Sequence, residues 1–130
     1  MVSIPNASTD VWAGRAQALA DSVGLILTWA RQEKGIRLDE ATLRSALSMD
    51  ALHSALQERK LPLAAANGRI RLVDLADVPE TMLSPLSGYL HDTGVYDPRR
   101  GRGVPQAEVT YRQHSYVLCS LAPHIPMLVA

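Results

Sequence analysis

Arg99, Arg100 and Arg102 stand within the stretch DTGVYDPRRGRG, set among Gly101 and Gly103. Guanidinium forks match phosphate oxygens, and glycine lets a backbone come close to a phosphate chain. Tyr96 and Tyr111 flank the cluster and offer rings for base stacking, while Arg112 adds a fourth cation. Arg99, Arg100, Arg102, Arg112 and Tyr96 are therefore the candidate contacts for DNA or another cargo. The same composition also describes a solvated charged loop that binds nothing.

Other chemistry finds little footing. No GxxxxGK[ST] phosphate loop is present, so this chain is not expected to hold ATP by that device. His53, His91, His114 and His124 are scattered, and none pairs with another His or with Cys at ligand spacing. No GxSxG elbow exists. Cys119 sits beside Val117, Leu118 and Leu121, which reads as a small buried hydrophobe and not as a nucleophile. Asp39 and Glu40 fall at a helix start, where they complement its dipole. His114 needs no role beyond packing or a surface hydrogen bond. No catalytic, metal-binding or cofactor-binding residues are expected here.

Bulk properties agree with a binding or structural role. The chain has 130 residues, 47% apolar and 20% charged, with a formal net charge of zero. It is the size of one domain with one core, and its overall charge does not suit a surface that grips nucleic acid everywhere. The basic excess is local: Arg99, Arg100, Arg102 and Arg112 face only Asp97 and Glu108 within residues 95–130. A single cysteine excludes an internal disulfide. The first ten residues lack a basic head and an apolar run, so no signal peptide is expected, and no apolar run is long enough to span a bilayer.

The elements that would position these residues are mainly helical. Trp12, Ala16, Leu19, Ala20, Val23, Ile26, Leu27 and Ala30 recur at three and four residues, which predicts a helix over 11–34, capped by Ser8, Thr9 or Asp10 and stopped at Gly35. Leu25 and Trp29 widen its stripe, as in the central helix of a bundle. Asp39 opens a short helix to Leu47, and Ser48 opens another over 49–60, closed by Pro62. Asn67-Gly68 marks a turn before an extended segment over 69–73. Pro79 starts a helix that Gly94 ends, with a kink or restart expected at Pro85. Residues 95–107 read as a long basic loop, and 108–121 as a last helix. The expected fold is thus mainly α: a single helical bundle over 11–122, a lead-in at 1–10 and a tail at 123–130.

The two short helices meeting at Ser48 could form a helix-turn-helix, which keeps a free-standing DNA-binding regulator as an alternative. Met49-Asp50-Ala51-Leu52-His53, at the end that would enter the groove, is acidic and apolar where basic or amide side chains are wanted.

Pro85-Leu86, Tyr89-Leu90, Thr93-Gly94-Val95-Tyr96-Asp97 and, after a variable stretch, Gln113-His114-Ser115-Tyr116 resemble a segment of type IV coupling proteins, the TraD/TraG-type ATPases of conjugation and type IV secretion. Trp12-Ala13-Gly14-Arg15-Ala16 and Lys34-Gly35-Ile36-Arg37-Leu38-Asp39 extend the likeness in the same order. The resemblance covers about Val11 to Ala122 and rests on short, largely structural motifs. It implies the all-α domain that these hexameric ATPases carry inserted in a RecA-like motor, facing the cytoplasm beneath an inner-membrane anchor. It implies partners among relaxosome or effector proteins, with single- or double-stranded DNA a further candidate, besides the rest of the ATPase. ATP and magnesium would belong to the motor, whose motifs have no counterpart here. The basic loop falls where the family pattern varies. An inserted domain needs two surface exits, which Ser3 to Asp10 and the tail from His124 would supply. Met127, Leu128 and Val129 would then continue as a strand of the motor.

Overall fold

The structure, a computed structural model, describes residues 2–64, 67–93 and 108–129, and only the backbone of 108–112. In chain order it comprises α1 (Val11–Lys34), α2 (Glu40–Ala46), α3 (Met49–Gln57), β1 (Lys60–Ala64), β2 (Ile70–Asp74), α4 (Glu80–Asp92), α5 (Glu108–Leu121), a 3-10 turn (Ala122–His124) and α6 (Ile125–Val129). Mainly α is correct.

α1 is bounded as its sequence predicts. The Asp10 carboxylate accepts from the amides of Trp12 and Ala13, and Gly35 closes the helix in the left-handed region at φ 64°. The helix packs chiefly against α4 and α5, and its buried stripe includes Ala16, Leu19, Ala20, Val23, Ile26 and Ala30. Trp29 joins that stripe, whereas Leu25 is 40% exposed, so the second face is only partly covered.

The lead-in is held more firmly than an irregular exit. Val2 and Ile4 are buried, and the Gln17 side chain donates to Val2 O (2.8 Å) and accepts from Ile4 N (2.7 Å). Gly14 permits this strap: a Cβ there would stand 2.7 Å from the Ala7 carbonyl oxygen, while one at Gly24 would meet open space. Gly24→Ala is therefore expected to raise stability by about 1 kcal/mol through helix propensity. Gly14→Ala should lower it by a similar amount, because the strap must shift. Paired thermal melts check the opposite signs.

Three segments differ from expectation. α3 ends at Gln57 and not near Lys60, because Arg59 turns the chain at φ 54° and is held there: its guanidinium donates to Val78 O (3.2 Å) and Glu80. Pro62 closes no helix but lies within β1, which pairs antiparallel with β2. α4 runs through Pro85 without a break. Pro85 and Thr81, whose carbonyl loses its helix partner, both lie on the exposed side, where water can serve that carbonyl. The tail also folds as helix: Pro123 and Pro126 occupy opening turns, where no amide is needed, and Ile125 is buried. Residues 125–129 are thus not a strand in this structure. Cys119 is exposed, not buried, since it lies off the stripe of His114, Val117 and Leu121.

Candidate functional site

Of the sequence-derived contact residues, Tyr96, Arg99, Arg100 and Arg102 lie outside the described residues. Arg112 lies in α5, with its side chain likewise outside them. The structure therefore speaks to what stands on either side of the segment 94–107, at the end of α4 and in α5.

Those flanks are joined by a buried histidine. His114 is 3% exposed and sits on α5 in register with Val117 and Leu121, both wholly buried. Its Nε2 lies 2.7 Å from Leu47 O and its Nδ1 lies 2.8 Å from the Tyr89 hydroxyl. A carbonyl only accepts, so Nε2 carries the proton, and Nδ1 accepts from Tyr89 Oη. Leu47 closes α2, and its carbonyl has no partner within that helix. One imidazole thus ties α5 to α4 and to the α2–α3 turn. Burial drives the His114 pKa below its ordinary 6.5, partly offset by the bond to Leu47, and burial raises that of Tyr89. The ring is neutral at pH 7 with both nitrogens engaged.

Two further contacts run along the same seam towards solvent. Arg15 of α1 donates to Gln113 Oε1 (3.3 Å), with its guanidinium carbon 5.7 Å from the Trp12 ring centroid. Trp12 in turn meets Tyr116 edge-on, centroids 5.4 Å apart. Thr93, at the end of α4, returns its hydroxyl to Tyr89 O and Leu90 O. Trp12, Arg15, Tyr89, Thr93, Gln113, His114 and Tyr116 are scattered through the sequence, yet they meet on one seam. Their chemistry is that of a clamp: it fixes both flanks of 94–107 and presents no activated nucleophile.

Sequence reasoning placed these residues in recognisable motifs but missed the clamp. The available signal was spacing: His114, Val117 and Leu121 follow i, i+3, i+7, so a histidine on a buried stripe needed two hydrogen-bond partners. Among the described residues no group of three His, Cys, Asp or Glu side chains could hold a metal ion, and no helix is long and apolar enough to cross a membrane.

No family model and no solved structure matches the chain. Over 113 residues, 86% of its length, the chain is 26% identical to the type 4 coupling protein DotL of Legionella pneumophila. It spans only 14% of that protein. The chain is thus similar, along most of its own length, to a small part of a type IV coupling protein.

Proposed function

We propose that this chain is a cargo-recognition all-α domain of a type IV secretion coupling ATPase, without catalysis of its own. The observation that carries this reading is the similarity to a coupling protein over 86% of the chain. The clamp adds a physical reason. Residues shared with the family pattern pin α1, α4 and α5 together, while the variable basic stretch after Asp97 is free to differ between systems. Cargo would be relaxosome or effector proteins, met at the cytoplasmic face of a hexameric, membrane-anchored parent. DNA would be contacted through Arg99, Arg100 and Arg102.

Pull-down with the relaxase, accessory and effector proteins of the same secretion system tests the reading. Retention of one of them supports it; retention of none, with no DNA binding at low salt, counts against it. For the loop, three phosphate contacts give a salt slope of about −2 on single-stranded DNA, flattened in the variant with alanine at positions 99, 100 and 102. Such weak contacts gain weight when several copies act on one cargo. The helix-turn-helix alternative gains nothing from the structure: Met49, Ala51 and Leu52, at the end of α3 that would enter a groove, are buried.

A further inference from the structure

The β1–β2 hairpin has one closed edge and one open edge. Leu75 N donates to Arg59 O (2.8 Å), so by alternation along the register Leu61–Val73 and Leu63–Arg71 are the next hydrogen-bonded pairs. The amides and carbonyls of Lys60, Pro62 and Ala64 therefore point outward from β1, and those of Ile70, Leu72 and Asp74 outward from β2. The outer edge of β1 is closed: Ser54 Oγ donates to Lys60 O (2.8 Å), Ala64 N donates to Ser45 Oγ (3.0 Å), and Pro62 has no amide. The outer edge of β2 receives no comparable bond to Ile70 or Leu72 among the described residues.

Two apolar side chains on this open edge stand exposed. Ile70 is 70% exposed and Leu72 60% exposed, on the same hairpin face as Pro62 and Ala64. A shallow cleft of about 210 Å³ lies between Ile70, this face and Ser48 at the α2–α3 turn. On the other face Arg69 and Arg71 are exposed, and neither forms an ion pair among the described residues. Asp74, the one acid on the strand, already pairs with Lys60 at 3.5 Å and accepts from Ala76 N.

We infer that β2 is a docking edge for an extended segment of a partner protein in which apolar and acidic residues alternate. A strand laid along Ile70 and Leu72 would complete the open hydrogen bonds. Its side chains alternate between faces, so one set lies beside Ile70 and Leu72 and wants to be apolar. The other set lies beside Arg69 and Arg71 and wants to be acidic. The edge is independent of the cargo-selection reading and is tested without any secretion component.

The probe is a fluorescein-labelled nine-residue peptide alternating valine and glutamate, with a valine–lysine peptide as its counterpart, titrated into the 130-residue chain. Anisotropy should show binding of the glutamate peptide alone, with slowed amide exchange at Ile70 and Leu72. Leu72→Pro removes an outward amide and leaves the bonds to β1 intact, so it should weaken binding ~10-fold. The R69E/R71E double variant should do the same; if Leu72→Pro loses the native circular dichroism spectrum, that exposed pair decides alone. Equal binding of both peptides, no binding by about 1 mM, or affinity unchanged in the variants overturns the inference. A dimer lost in Leu72→Pro would overturn it too, by assigning the edge to a second copy.

Discussion

Replacing His114 with alanine is expected to lower the unfolding free energy by about 3 kcal/mol. The change opens a cavity beside Val117 and leaves Leu47 O and the Tyr89 hydroxyl buried without their partner. Tyr89→Phe, which removes one bond and keeps the ring, should cost about 1 kcal/mol. The double variant should lose less than the sum, because the two side chains share one bond. Urea titrations of the four proteins measure the cycle. Acid gives an independent readout. The folded-state pKa of His114 lies below its unfolded value of about 6.5, so the unfolded chain takes up the proton first. The stabilisation is complete above about pH 6.5 and is lost as pH falls through the depressed folded-state value. His114→Gln, which keeps one donor and one acceptor, should flatten this pH dependence.

Leu19→Asp is expected to unfold the chain outright. Leu19 is wholly buried at the middle of α1, between Ala16 and Val23, where the helix meets α4 and α5. A carboxylate buried there is stripped of water and costs on the order of 5 kcal/mol or more, comparable with a small domain's entire stability. Leu25→Asp, six residues on and 40% exposed, should change stability by no more than about 0.5 kcal/mol. Far-UV circular dichroism at 25 °C distinguishes the two without a denaturant series. The contrast also separates scaffold from contact: a loss of cargo retention in a folded Leu25 variant would mark that face as functional, whereas Leu19 can act only through the fold.

The elements legible in the sequence are those whose ends and faces are set locally. Asp10 and Gly35 bound α1 because a carboxylate beside free amides, and a residue able to take φ 64°, act within one turn. α5 likewise covers the span expected of it, 108–121. Pro62 misled because a missing amide has two uses. It can stop a helix or sit on a sheet edge, and the choice depends on Ser45 and Ser54, which come from other elements. Pro123 and Pro126 misled for a related reason, since a helix of five residues such as α6 depends on packing more than on propensity. Of the candidate contacts, Arg112 could be placed on α5, while Tyr96, Arg99, Arg100 and Arg102 rest on composition alone.

By itself, then, the order of residues determined a mainly helical chain, the limits of its long first helix, and which motifs resemble a coupling protein. Their meaning came from three dimensions. Leu47, Tyr89 and His114 lie far apart in the chain, and only packing of α2, α4 and α5 puts a helix-end carbonyl and a hydroxyl within 2.8 Å of one imidazole. The open edge of β2 has the same origin. Strand periodicity announces Ile70 and Leu72, but whether their outward amides find a partner is settled by what the rest of the chain places beside them, and along β2 it places nothing among the described residues.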